Sequence, residues 1–231
     1  MTANPATGLR LDGLPPLTPL TPSARPAPSN PPSKPPSRLS PLQPLAAEAE
    51  LRILDLDIET VAAGYADPGW VPHTITAWAA SWNDPDRVEC RALPVRHFYD
   101  RKARRRFLGP LLKLISQADL LTGHNLFRFD LPVIQAEAMR LELPPLTPVR
   151  VQDTMRILKS KGFKKGQDNL VALLRTGEKK ALNWQQWQDA YAEPSLATVK
   201  ERNIGDVRDH IVLRTRMLGL GWLRRSVMWK P

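Results

Sequence analysis

The chain has 231 residues, and its 33 lysines and arginines against 23 aspartates and glutamates give a formal net charge of +10. This balance favours an acidic polymer, most simply nucleic acid, as the partner. The single cysteine, Cys90, excludes an intramolecular disulfide and a cysteine-based metal cluster, and no apolar run approaches the length of a membrane span. The N-terminus lacks the charged start and apolar core of a secretory signal, so we expect an intracellular, cytoplasmic protein that is not secreted.

The first 50 residues hold more than half of the 24 prolines. Proline lacks the backbone N–H that helices and sheets require, so residues 1–48 are predicted to form a disordered, partly polyproline-II arm. Residues 49–231 are predicted to form the folded domain. The arm is interpreted as a flexible leader, and docking of a protein partner is its alternative role.

From residue 51 onwards the sequence predicts alternating strands and helices. Strands are expected over 51–58, 74–82, 87–93, 119–124 and 149–151. Helices are expected over 99–117, 131–143, 154–161, 169–175, 184–191 and 195–220. Asp153 is a candidate cap for the helix that follows it. Three early strands, followed by strands that alternate with helices, indicate an α/β fold with a mixed five-stranded sheet flanked by helices.

The first predicted strand, ILDLDIET (53–60), carries carboxylates at alternate positions. Alternate side chains of a strand point to the same face, so Asp55, Asp57 and Glu59 share one face. A solvated face is the ordinary interpretation of such a pattern. This strand is strongly apolar, however, and further carboxylates follow in apolar segments. Carboxylates that are buried together repel each other unless a cation neutralises them, and hard oxygen ligands favour Mg²⁺ or Mn²⁺.

Two later segments carry the other candidate carboxylates. In GHNLFRFDLPVI (123–134), Asp130 lies where a helix begins, and a helix cap is its simpler role. In RNIGDVRDHIVLRTRML (202–218), helical spacing places Arg202, Asp206 and His210 on one face. An ion-pair ladder on a solvated helix is the simpler interpretation of that segment taken alone.

Together the three segments resemble the DEDD superfamily of 3′–5′ exonucleases, which have a ribonuclease-H-like fold. The third motif is similar to that of the branch to which the proofreading domains of family-B DNA polymerases belong. The resemblance covers about residues 51–218, and its motifs appear in the family's order. The first motif is matched by 57–60, the second by Asn125 with 129–130, and the third by Asn203, Asp206 and Val207.

The resemblance implies a metal-dependent enzyme that hydrolyses phosphodiester bonds at a single-stranded 3′ end and releases nucleoside 5′-monophosphates. DNA is the expected substrate, in replication or repair. Two ions of Mg²⁺ or Mn²⁺ are implied, and the implied catalytic residues, which are also the metal ligands, are Asp57, Glu59, Asp130 and Asp206. The expected nucleic-acid contacts are Asn125, Thr60, Lys164, Lys165 and Arg202. Two basic segments, RKARRRF (101–107) and KSKGFKK (159–165), are candidates for binding the phosphate backbone.

The third motif departs from the family at Arg202, where the family has a tyrosine that orients or deprotonates the attacking water. Arginine stays protonated and cannot act as a base. Three alternatives remain open: metal activation of water without a side-chain base, His210 as a stand-in general base, or a nucleic-acid-binding module that cleaves poorly. Asp206 is preferred over Asp209 as the motif carboxylate because its neighbours fit the motif. Asp55 is expected at the sheet margin and is given no role.

Overall fold

The computed structural model describes residues 51–62, 73–157, 166–177, 182–223 and 226–231. The predicted arm over 1–48 lies outside the described residues, and so do Lys164, Lys165 and the whole basic segment 159–165.

Within the described residues, six strands form one sheet, in the order β3-β2-β1-β4-β5-β6. They are β1 (Ile53–Ala62), β2 (His73–Ser81), β3 (Glu89–Ala92), β4 (Leu120–Gly123), β5 (Val149–Asp153) and β6 (Val227–Trp229). The pairs β1–β4 and β4–β5 are parallel, and the other pairs are antiparallel. The predicted mixed α/β sheet of ribonuclease-H-like type is confirmed, with six strands instead of five. The added strand, β6, has only three residues, too few for an alternating pattern to be recognised.

Six α-helices in the described part of the chain accompany the sheet. They are α1 (Arg101–Ser116), α2 (Asp130–Arg140), α3 (Thr154–Ile157), α4 (Gln167–Leu174), α5 (Trp184–Ala192) and α6 (Ala197–Gly219). The start of α3 is capped as predicted, because Oδ1 of Asp153 accepts from the amides of Met155 and Arg156 at 2.9 and 3.3 Å. Among the helices that the structure describes, none is both long and apolar enough to cross a membrane.

One face of β1 and β2 packs on α1 and α2. This side holds the main apolar cluster, in which Leu56, Ile58 and Trp78 contact helix residues that include Phe107 and Leu108. The indole Nε1 of Trp78 donates to the carbonyl of Phe107 at 2.9 Å, so the one polar atom of this buried ring is satisfied. The even-numbered residues at the start of β1 therefore point into the hydrophobic core.

The other face of the same strands packs on α6. Ala79 of β2 contacts Val207 and Ile211 of α6, and Ala77 contacts Leu196 and Val199 at the start of that helix. Side chains as small as alanine allow a helix to approach the sheet closely. The odd-numbered residues of β1 share this face, so the side chains of Asp55, Asp57 and Glu59 point towards α6.

Candidate functional site

Three of the predicted carboxylates meet between β1 and α6. Asp57, Glu59 and Asp206 each offer one oxygen, and these oxygens lie within 4.8 Å of one another. Asp206 is buried, whereas Asp57 and Glu59 are half-buried. We call this group the three-carboxylate cluster. Charges of one sign this close together repel, and oxygen donors at this density could bind a divalent metal ion.

Asp130 lies beside the cluster but outside its tight group of oxygens. It is the first residue of α2 and is 3% exposed. The pKa of Asp130 is raised to about 7, mainly by burial; backbone hydrogen bonds at Asp130 and Ile58 oppose the rise, and the charges of Asp153 and Glu59 contribute to it. The simpler role of a helix cap does not apply, because the N-cap of α2 is Phe129 and it has no side-chain cap. The fourth carboxyl is therefore buried near Glu59 without a capping function.

The loop of the second motif is held by Asp153, a residue that was predicted only as a helix cap. Oδ1 and Oδ2 of Asp153 accept from the amides of Asn125 and Phe127 at 2.9 and 3.1 Å. Asn125 has a positive φ of 72°, which asparagine tolerates better than most residues. The position follows from the sheet, in which Asp153 ends β5 directly opposite Gly123, the last residue of the parallel neighbour β4.

Gly123 starts that loop at a point where no side chain fits. A Cβ at this position would lie 2.8 Å from the carbonyl oxygen of Leu56 and 2.6 Å from the side chain of Leu126. The glycine of the second motif therefore allows the end of β4 to pass close to β1. This close passage starts the loop next to the strand that carries Asp57 and Glu59.

The third motif supplies two further contacts from α6. The buried Asn203 donates from Nδ2 to Oδ2 of Asp57 at 2.7 Å. Arg202 forms an ion pair with Asp206, with 3.2 Å between Nη1 and Oδ1. At the position of the family's tyrosine, a guanidinium thus contacts a carboxylate of the cluster.

Thr60 follows the cluster on β1. A β-bulge between Glu59 and Thr60 shifts the pairing of β1 with β2, so that Glu59 is opposite Ala77 and Thr60 is opposite Ile75. Bulges turn side chains away from the regular alternation. The hydroxyl of Thr60 is 3.4 Å from Nδ1 of His73, and Thr60 remains half-buried.

His210 contacts Asp55, which is completely buried and not at the sheet margin where it was expected. Nδ1 of His210 is 3.0 Å from Oδ1 of Asp55, Nε of Arg214 is 3.4 Å from the same oxygen, and the hydroxyl of Thr122 donates to it. Burial by itself raises the pKa of Asp55, but the contacts with His210 and Arg214 hold it below its usual value. This location gives His210 a structural partner and disfavours it as the general base.

The basic segment 101–107 lies on α1, which packs on the opposite face of the sheet from the three-carboxylate cluster. Arg104 forms a buried ion pair with Glu137 of α2. Arg101 pairs with Glu142 at 2.5 Å, and Arg105 donates to the carbonyl of Leu141. Arg104 is thus paired in the interior, while Arg101 and Arg105 are engaged with the end of α2 and the residues after it, which favours a structural role for this segment over backbone binding.

No protein-family model matches the sequence, and a comparison with curated proteins finds no significant match. The fold is similar to a solved structure of the family B DNA polymerase from the hyperthermophilic archaeon Pyrobaculum calidifontis, with a TM-score of 0.56 and 20% sequence identity. The similarity covers 73% of this chain and 24% of that chain, so this protein spans about a quarter of the polymerase's length. At this level of identity the likeness establishes a shared fold.

Proposed function

We propose that the protein is a metal-dependent 3′–5′ exonuclease that acts on a single-stranded 3′ end of nucleic acid, with DNA as the expected substrate. The observation that carries the proposal is the three-carboxylate cluster, in which the first and third sequence motifs meet within 4.8 Å. The likeness to a family B DNA polymerase supports it, because the motifs resemble the proofreading domains of the same group of proteins.

The donor set fits the implied metal. Asp57, Glu59 and Asp206 would hold one Mg²⁺ or Mn²⁺, and Asp130 would contribute to a second ion. The bound ions would supply activation of water and stabilisation of the charge that develops on the phosphate. The protein contributes the position of each carboxylate, since Asn203 orients Asp57 through its hydrogen bond.

Several residues are proposed to bind the nucleic acid. Asn125, on the loop after β4, and Thr60, at the bulge of β1, would contact the terminal nucleotide. Arg202 would contact a backbone phosphate, for which a guanidinium is well suited. Lys164 and Lys165 would add salt-dependent, sequence-independent affinity.

We assign no side chain as the general base. Arg202 stays protonated, and His210 is engaged with Asp55. Tyr191 interacts with Glu59, but its hydroxyl is bonded to Thr76 at 2.5 Å and burial raises its pKa to about 12. A phenol with such a pKa is already protonated near neutrality, so it cannot accept a proton from water.

A nucleic-acid-binding module with weak cleavage is the second candidate. The ion pair between Arg202 and Asp206 favours it, because the guanidinium contacts a carboxylate that would have to bind the catalytic metal.

The arm over 1–48 is proposed to be dispensable for chemistry, and a variant that lacks it tests this point.

The test is degradation of a 5′-labelled single-stranded DNA oligonucleotide in Mg²⁺ or Mn²⁺, with an RNA oligonucleotide of the same sequence in parallel. Asp57→Asn and Asp206→Asn should abolish a ladder that shortens from the 3′ end. Glu201→Gln is the matched control, since it removes an exposed carboxylate from the same helix. Metal-dependent binding without cleavage by the wild type would favour the binding module, and absence of both would contradict the proposal.

A further inference from the structure

Arg202 pairs with one of the three carboxylates that a metal would need. Its Nη1 is 3.2 Å from Oδ1 of Asp206, and the two side chains are only 19% and 6% exposed. Ion pairs on an open surface are weakened by water and salt, but a pair this sheltered is screened much less. The guanidinium is therefore a strong local charge at the three-carboxylate cluster.

The cluster needs a cation whether or not a metal is present. Three carboxylate oxygens within 4.8 Å of one another destabilise the folded chain unless a positive charge is near. Arginine supplies that charge at every ordinary pH, because its guanidinium does not lose its proton. A divalent ion would bring a larger charge to the same carboxylate group, so the metal and the guanidinium compete for Asp206.

We infer that Arg202 is a built-in counter-cation, which stabilises the metal-free cluster and which a divalent ion must displace from Asp206. The inference rests on the proposed metal site and adds a regulatory property to it. Arg202 weakens metal binding and raises the metal concentration at which the site fills. It does so from the position where the resembled family has an uncharged tyrosine.

The test is calorimetric titration of Mn²⁺ into the metal-free, full-length protein. Two variants, Arg202→Gln and Arg202→Tyr, remove the charge with different shapes, so one folded variant suffices. Each should bind Mn²⁺ about tenfold or more tightly than the wild type, because a nearby positive charge is lost from a sheltered site. Arg202→Lys keeps a charge and should stay closer to the wild type.

Arg216→Gln is the matched control. Arg216 is an exposed arginine on the same helix, ten residues beyond Asp206. That separation is about 15 Å along the helix and exceeds the screening length of about 8 Å at physiological salt. The affinity of the Arg216→Gln variant for Mn²⁺ should therefore stay within about twofold of the wild type.

Thermal unfolding provides a readout that does not depend on metal affinity alone. In EDTA the neutral Arg202 variants should melt at a lower temperature than the wild type. Addition of Mn²⁺ should raise their melting temperature by more than it raises that of the wild type. Equal Mn²⁺ affinity of the wild type and the folded neutral variants, or equal tightening in Arg216→Gln, would overturn the inference and leave the exonuclease proposal intact. Absence of Mn²⁺ binding in every folded variant would instead contradict the metal site and with it the proposed function.

Discussion

Asn203 of α6 and Asp57 of β1 are joined by a hydrogen bond of 2.7 Å from Nδ2 to Oδ2. Asn203 is completely buried and Asp57 is half-buried, so this bond links the helix to the central strand at a partly sheltered position. Gln167 of α4 donates to the carbonyl of Asp206 at 2.8 Å and anchors the same turn of α6. The three-carboxylate cluster thus depends on polar contacts that orient the helix as well as on the carboxylates themselves.

Replacing Asn203 with alanine should weaken metal binding. Removing a partner that orients a metal ligand costs about 10- to 100-fold in affinity or activity. Titration of Mn²⁺ into the metal-free variant measures the effect, and urea unfolding reports the accompanying loss of stability. An unchanged Mn²⁺ affinity in the folded variant would show that Asp57 is oriented without Asn203.

The stability of the metal-free protein should fall as the pH rises from about 4 to 7. The folded-state pKa of Asp130 is raised from 3.8 to about 7, mainly by burial, so in this window the folded chain binds more protons than the unfolded chain. The contribution of Asp130 to the free energy of unfolding is fully present below its pKa in the unfolded chain. It is lost as the pH rises through its pKa in the folded chain. The free energy of unfolding should fall by at most about 1.4 kcal/mol per pH unit for each such group.

Urea unfolding in EDTA at pH 5, 6, 7 and 8 measures this slope. Burial also raises the pKa of Glu137 to about 7, so this group contributes with the same sign. Asp130→Asn should therefore reduce the slope without removing it. An unchanged slope in that variant would show that Asp130 is already ionised in the folded, metal-free protein.

Removing one member of the buried pair of Arg104 and Glu137 should lower stability strongly, whereas replacing both members with apolar residues should change it little. Their side chains are 7% and 2% exposed, and the pair joins α1 to α2. Arg104→Met leaves a buried carboxylate without its main partner, which costs about 3–5 kcal/mol, whereas an apolar replacement of both members is often neutral. Chemical unfolding of Arg104→Met, Glu137→Met and the double variant tests this. A double variant no more stable than Arg104→Met would contradict it.

His210→Asn should lower stability and leave the pH dependence of cleavage unchanged. His210 is 3% exposed and bonded to Asp55, so its loss removes a partner from a buried carboxylate, at a cost of about 1–3 kcal/mol. Thermal unfolding and the pH–rate profile, measured well below the melting temperature, separate the two effects. Loss of a basic limb from the profile, with stability kept, would assign His210 as the general base after all.

The arrangement of β1 was predictable from local sequence. Alternation has a period of two in any strand, so ILDLDIET places Asp55, Asp57 and Glu59 on one face wherever the strand lies. The order of strands and helices indicated the mixed sheet for a similar reason, because each element's pattern reflects its own backbone geometry. β6 was missed because three residues carry too little pattern.

Only the tertiary structure decided what each of these carboxylates contacts. α6 crosses β1 so that Asp206 meets Asp57 and Glu59, while Asp55 pairs with His210 one turn further along the helix. In the same way, the basic segment 101–107 lies on the opposite face of the sheet, where its arginines pair with α2 and the residues just after it. Such partners are far apart in sequence, and the packing of helices on the sheet, rather than any local spacing, brings them together.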